Sequence, residues 1–330
     1  MAVYTHVSAE SLARFLARYD VGELVSAKGI AEGVENSNYL VDTTAGRYIL
    51  TLYEKRVEAA DLPFFMALLD HLAAKGLPVP PAIKDREGVA IQELEGRPAC
   101  LIRFLPGVSL SSPTVTKARA AGAALGRMHQ GVQDFDLERR NSLGVDSWRP
   151  LLARCGDDLE RIAPNLYRDL AFALDEVLAF WPEGWEGKIE DWTPLPRCVI
   201  HADLFPDNVL VRGNEVSGII DFYFACIDLR AYDLAIMHSA WAFDATGRPL
   251  DPAIGRALLD GYGSVITMKE GERMALPVLA KGACVRFALT RAWDWLNTPA
   301  DAMVTRKDPL AYLRRLDWYA DYERATAAFA

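Results

Sequence analysis

The densest chemistry in the chain lies in the run His201-Ala202-Asp203-Leu204-Phe205-Pro206-Asp207-Asn208. Cys198-Val199-Ile200 leads into it, Val209-Leu210-Val211 leads out, and a turn at Arg212 to Glu215 precedes a stretch from Val216 to Ile220 that ends at Asp221-Phe222. Carboxylates at strand ends beside an apolar ribbon are costly unless a cation or a substrate meets them. Phosphoryl transfer asks for such a set. Mg2+ takes oxygen ligands from a carboxylate and an amide carbonyl, and a further carboxylate must orient the attacking hydroxyl in line with the γ-phosphate. Asn208 and Asp221 are therefore candidate metal ligands, and Asp203 the candidate base. The spacing H-x-D-x-x-x-x-N before an apolar strand ending in Asp is the pattern of a phosphotransfer loop. Alone it arises by chance in roughly one chain in a hundred of this length; the flanking strands sharpen it. The bland alternative is a pair of capping aspartates with Asn208 as a turn residue. His201 reads as a brace of the loop more than as an acid or base, and Asp233 reads as a brace too.

Such a loop needs a scaffold, and 330 residues suggest two compact lobes. Ser8 caps a first helix in which Leu12, Phe15, Leu16 and Tyr19 recur at helical spacing. Extended stretches follow over 24–30, 38–42 and 47–53, with a turn at Thr44-Ala45-Gly46, and read as an antiparallel meander. Between the first two, the run from Gly29 to Asn38 is rich in small and amide-bearing residues and can aim backbone N–H groups at phosphates. An amphipathic helix spans 59–75 on Leu62, Phe65, Met66, Leu69 and Leu72, and Gly76 stops it. Strands are expected over 89–93 and 99–104. Leu105-Pro106-Gly107 then marks the boundary between an N-terminal lobe, 1–105, and a C-terminal lobe, 106–330. Ser112-Pro113 opens a helix to about Gln130 with proline in its first turn, and another helix covers 158–180. From Tyr232 the chain reads as mostly helical, interrupted at Gly247-Arg248-Pro249 and Gly261-Tyr262-Gly263. The loop and its strands form a small β island within that helical half, and the class is α+β.

Composition removes several alternatives. A net charge of −9 with no basic run speaks against a nucleic-acid partner, while a local pocket can still hold a nucleotide. The five cysteines are scattered without a C-x-x-C pair, which favours reduced core residues over disulfides or zinc. Met1 to Ser8 carries no signal sequence and no apolar run reaches membrane-spanning length, so no membrane partner is expected and the cytoplasm is the expected compartment.

The order of these features resembles the protein-kinase-like superfamily of aminoglycoside phosphotransferases and choline kinases, and within it the homoserine kinases. The likeness rests on Gly29 to Leu40 (GIAEGVENSNYL), on Glu54 to Pro80, on His201 to Asp221 ending in IIDF, and on Ile102 to Gly107. It implies a two-lobed fold, with an N-terminal nucleotide-binding lobe and a C-terminal catalytic and acceptor lobe. It further implies ATP and Mg2+ as cofactors, and L-homoserine as a small-molecule substrate of a monomer or homodimer. By this resemblance Asp203, with His201 beside it, is catalytic, and Asn208 and Asp221 hold the metal. Gly33, Glu35, Asn36, Ser37 and Asn38 lie over the phosphates, and Arg103, Phe104 and Leu105 form the hinge beside adenine. The superfamily usually places Lys or Arg on the third strand; here the position is Thr51, with Lys55 or Lys28 as substitutes. For the acceptor, a carboxylate calls for an arginine fork, which makes Arg286 a candidate together with Trp293 and Tyr223. A choline, amino-sugar or aminoglycoside acceptor, and a nucleotide-binding pseudokinase, remain as alternatives.

Overall fold

The computed structural model describes residues 4–30, 36–54, 57–186, 193–298 and 306–330. These fall into two compact units, one drawn from 4–107 together with 217–223, the other from 108–216, 224–298 and 306–330.

The first unit opens with α1 (Ala9–Leu16), where Ser8 Oγ accepts the Ser11 amide at 3.1 Å. A side-chain oxygen at this position satisfies one of the orphan donors of a helix start. Strands β1 (Leu24–Gly29), β2 (Ser37–Thr43) and β3 (Gly46–Leu52) form the expected meander. Helix α2 (Leu62–Ala74) follows a 3-10 turn over Ala59–Asp61 and stops before Gly76, whose φ of 80° needs a residue without Cβ. Strands β4 (Ala82–Ile83), β5 (Gln92–Leu94) and β6 (Arg97–Arg103) complete an antiparallel sheet in the order β1-β2-β3-β6-β4, with β5 on β6. Leu12, Phe15, Leu16 and Tyr19 pack on Tyr39, Val41, Leu50 and Leu101. Period-two alternation along β2 turns the even residues Asn38 and Leu40 to the opposite face from this core.

One strand differs from its expected span of 89–93. Asp85 Oδ1 accepts the amides of Glu87 and Val89 at 3.0 and 2.8 Å, closing a turn that leaves Val89 exposed. The hairpin register is then set by Glu95 and Gly96, at φ 52° and 69°, so the strand begins at Gln92.

The second unit begins with β7 (Val108–Ser109) and helices α3 (Val115–Gly131), α4 (Val145–Cys155) and α5 (Leu166–Ala179). Strands β8 (Arg197–Ile200), β9 (Val209–Arg212), β10 (Glu215–Ile219) and β11 (Cys226–Leu229) follow; the last residues of β10, Ser217–Ile219, belong to the first unit. Helices α6 (Arg230–Trp241), α7 (Pro252–Gly263), α8 (Glu270–Asn297), α9 (Leu310–Ala320) and α10 (Tyr322–Phe329) close the chain. The β island is split: β8 pairs with β11, and β7 pairs with β9. Neither β7 nor β11 shows a period long enough to read from sequence.

Several helix expectations are corrected. Thr114, not Ser112, caps α3 by accepting the Lys117 amide, and Pro113 lies outside the helix. The expected helix over 158–180 is broken, because Pro164 offers no N–H and Asn165 turns left-handed at φ 63° before α5 begins. Helix α4, with Pro150 inside it, was not anticipated. Gly261 does not interrupt α7. It lets α7 approach α3: a Cβ there would lie 2.0 Å from the Arg119 carbonyl oxygen, and one on Gly122 would lie 2.0 Å from that of Leu258.

This crossing decides the sign of a substitution. Alanine in a helix interior is ordinarily better than glycine by about 1 kcal/mol. Gly261→Ala is nevertheless expected to destabilise by about 1–3 kcal/mol through overpacking against backbone. Gly263→Ala, whose Cβ meets nothing within 4 Å, should be neutral or stabilising. Urea unfolding of the two variants checks this.

Candidate active site

The loop after β8 is built around one unusual peptide. Ala202 takes φ 63°, a left-handed conformation that costs an alanine about 1–2 kcal/mol. Both ends of the residue are held. The fully buried Asp233 carboxylate, on α6, accepts the His201 amide at 2.7 Å and the Ala202 amide at 2.9 Å. Arg286 Nη1, from α8, donates to the Ala202 carbonyl at 2.7 Å. Beyond it, Trp241 Nε1 donates to the Leu204 carbonyl at 2.9 Å. His201 is itself buried, and its Nδ1 accepts the Asp203 amide at 3.2 Å, which puts its N–H on Nε2. Asn208 closes the turn: Nδ2 donates to the Asp203 carbonyl at 2.8 Å and to Asp203 Oδ2 at 3.3 Å.

Asp233 is also held by a hydrogen bond from behind. His129 Nε2, on α3, lies 3.0 Å from Asp233 Oδ2 and must donate, since a carboxylate only accepts; its Nδ1 pairs with the Tyr262 hydroxyl at 2.9 Å. Burial pushes the Asp233 carboxyl up, but the His129 hydrogen bond, electrostatic interaction with the two histidines and the His201 amide outweigh it and hold the carboxyl below its ordinary value. Sequence reasoning found Asp233 as a brace and missed His129, which sits in an alanine- and glycine-rich helix with no motif around it.

Asn208 carries no hydrogen bond on Oδ1 among the described residues, which leaves an amide oxygen of the kind Mg2+ takes. Asp221 stands in the first unit two residues after the end of β10, left-handed at φ 66°. Two candidate ligands thus have suitable oxygens on turns fixed by their backbone.

The remaining predicted residues separate into groups. Gly33, Glu35 and Lys55 lie outside the described residues. Asn36, Ser37 and Asn38 form a closed polar network within their unit. Ser37 Oγ donates to Glu54 Oε1 at 2.7 Å and accepts the Tyr4 and Thr5 amides, Asn36 Oδ1 accepts the Glu54 amide, and Asn38 Oδ1 accepts the Thr51 hydroxyl at 2.8 Å. Thr51 is buried, and Lys28 is exposed opposite Leu40 on β2. Arg103 ends β6; Phe104, three residues before the first unit's edge at Gly107 and followed by Leu105, lies under the Arg47 guanidinium at 5.4 Å. Tyr223 packs edge-on against Tyr53 and Phe65, its hydroxyl 3.3 Å from that of Tyr53.

Two acceptor candidates are differently placed than an open fork requires. Arg286 is 1% exposed, and its Nη1 is committed to the loop. Trp293 lies under the Arg154 guanidinium at 4.2 Å. Helical spacing put both on one face of α8; it could not say that the loop and α4 cover that face.

A model of the phosphotransferase enzyme family matches residues 26–271. The chain is similar over its full length to curated relatives: it is 52% identical to the homoserine kinase of Gluconacetobacter diazotrophicus, covering 97% of each chain. It is 50% identical to the homoserine kinase of Zymomonas mobilis, covering 100% of each. Among solved structures it resembles amicoumacin kinase in complex with AMP-PNP, Ca2+ and Ami, at TM-score 0.70 and 15% identity over 96% and 94% of the two chains. It also resembles choline kinase from Cryptosporidium parvum, at TM-score 0.67 and 15% identity over 96% and 95%. The fold is therefore the α+β, protein-kinase-like one that the sequence led us to expect.

The Asp233 arrangement predicts a pH dependence. The folded carboxyl lies below the unfolded aspartate value of about 3.9, so its stabilisation is complete above that value and is lost as pH falls through the folded pKa. Asp233→Ala should cost about 3–5 kcal/mol at pH 7 by leaving the facing donors unpaired, and should flatten the acid side of the stability curve. Urea unfolding across pH 3 to 7 measures both.

Proposed function

The chain belongs to the phosphotransferase enzyme family, and we propose that within it the protein is an ATP-dependent homoserine kinase. It transfers the γ-phosphate of ATP to the hydroxyl of L-homoserine, giving O-phospho-L-homoserine, a step toward threonine. The observation that carries the reading is identity of about half over the full length with curated homoserine kinases, together with a loop whose Asp203 is fixed at its amide and its carbonyl.

Each residue then has a chemical task. Asp203 accepts the hydroxyl proton and aims the oxygen at the γ-phosphorus. Asn208 Oδ1 and the Asp221 carboxylate are the protein ligands we assign to Mg2+. When bound, the ion supplies neutralisation of the nucleotide's negative charge. His201 keeps the Asp203 amide oriented, and we assign it no proton transfer. The N-terminal lobe, 1–105, is assigned to the nucleotide. There the turn through Gly33, Glu35, Asn36, Ser37 and Asn38 covers the phosphates, Lys55 supplies the cation that Thr51 cannot, and Arg103 to Leu105 border adenine. The five cysteines are free thiols, four of them buried, which fits a reducing compartment, and we place the enzyme in the cytoplasm as a monomer or homodimer.

ADP release with Mg-ATP and L-homoserine, against L-serine, choline and kanamycin, tests the assignment. L-Homoserine should be the preferred acceptor, and a different preferred alcohol would sink that choice of substrate. Asp203→Asn should lower kcat about 10^3-fold while nucleotide still binds. Asn208→Ala should raise the Mg2+ concentration for half-maximal rate about 10-fold or more. Nucleotide binding without turnover of any acceptor would favour a pseudokinase.

A further inference from the structure

Two arginines of the second unit are not accounted for by the bracing of the loop. Arg315, on α9, is 4% exposed. Its Nη2 donates to the Asp244 carbonyl at 2.8 Å, while Nε and Nη1 have no hydrogen-bond partner among the described residues. Arg291, on α8, is half-buried, donates Nη1 to the Asp308 carbonyl at 3.2 Å, and pairs with no carboxylate among the described residues. Both guanidinium groups lie over the ring of Tyr312, 4.6 Å from its centroid for Arg291 and 4.2 Å for Arg315.

Buried cations are ordinarily paired, and Arg230 shows the usual solution, held by buried Glu272 at 2.7 Å. Arg291 and Arg315 instead share one ring, each donating to a backbone carbonyl and neither in an ion pair with a carboxylate among the described residues. Burial depresses the Arg291 guanidinium, and Arg315 depresses it further, while Asp203 and Asp207 act in the opposite direction. Two desolvated like charges in a protein of net charge −9 call for an anion.

Their location says which anion. Arg286, five residues before Arg291 on the same helix, grips the Ala202 carbonyl next to the base. Phe205, two residues after Asp203, contacts Phe287 at 4.9 Å, and Phe287 stacks on Tyr312 at 5.0 Å. The cation pair is therefore joined to the catalytic loop through a short run of rings within one unit. An amino-acid alcohol presents a carboxylate a few bonds from the hydroxyl that Asp203 orients.

We propose that the guanidinium of Arg291, backed by the buried charge of Arg315, binds the carboxylate of the acceptor and makes the enzyme select an amino-acid alcohol over the corresponding amino alcohol. This rests on the homoserine kinase reading and assigns the fork that Arg286, committed to the loop, does not supply. A guanidinium fits a carboxylate through two parallel N–H bonds, and its position over Tyr312 fixes the plane of the fork.

The test compares L-homoserine with 3-aminopropan-1-ol, which keeps the ammonium and the hydroxyl but lacks the carboxylate. Initial rates are measured at saturating Mg-ATP for the wild type, Arg291→Gln, Arg291→Lys and Arg315→Gln, each checked for thermal unfolding. Arg291→Gln should lower the ratio of kcat/KM for L-homoserine to that for 3-aminopropan-1-ol by about 100-fold, chiefly through KM for L-homoserine, and Arg291→Lys should recover part of the ratio. Equal losses on both alcohols, or a ratio that stays within about threefold, would overturn the clamp while leaving the kinase in place. Should Arg315→Gln fail to fold, the Arg291 pair decides the matter alone. A wild type that releases no ADP with L-homoserine sinks the homoserine reading, and the clamp built on it.

Discussion

The carboxylate of Asp233 sits where three hydrogen bonds converge, two from consecutive amides of the catalytic loop and one from His129. A buried charge of this kind is tolerable only when every lone pair finds a donor. Here the donors are the amides that a left-handed Ala202 turns inward. The cost of burying the charge and the cost of the strained residue are thus met by the same contacts. Arg286 holds the other end of that residue, so the peptide is gripped by an anion at its N–H side and by a cation at its C=O side. The orientation of Asp203 is inherited from this pairing.

The first unit solves a different problem. Members of the superfamily it resembles usually carry a cation on the third strand; here a neutral hydrogen bond, Thr51 to Asn38, stands at that place. Around it Ser37, Asn36 and Glu54 satisfy one another, and Glu54 Oε2 reaches Arg97 at 3.3 Å. The network fixes β2 against β3 without asking for a ligand, which is why residues that look like phosphate contacts in sequence also serve as structure.

Much of this was legible in the sequence because it is local. The loop motif, the meander and α2 each depend on residues close in the chain, and period and turn chemistry report them directly. What escaped was set by distant partners. His129 and Asp233 are 104 residues apart, and nothing near either one names the other. Arg286 has the composition of a substrate fork, and only the tertiary contact with Ala202 shows that its charge serves the loop. Gly261 looked like a breaker because sequence records that it lacks a side chain, not that the Arg119 carbonyl fills the space. Asn165 and Pro164 were readable signals against one long helix, and the apolar period through them outweighed the punctuation.

Helix α8 gathers these distant partners on one rod. Its 28 residues span about 42 Å, from Glu272 beside Arg230 to Arg286 on the loop and Arg291 over Tyr312. Adding or removing one residue near its middle would swing everything after it by about 100° around the helix axis. The loop clamp and the paired cations would then be lost together, although no named side chain had changed. A substitution along this helix acts on one contact at a time, whereas a change of length near its middle acts on all the later ones at once.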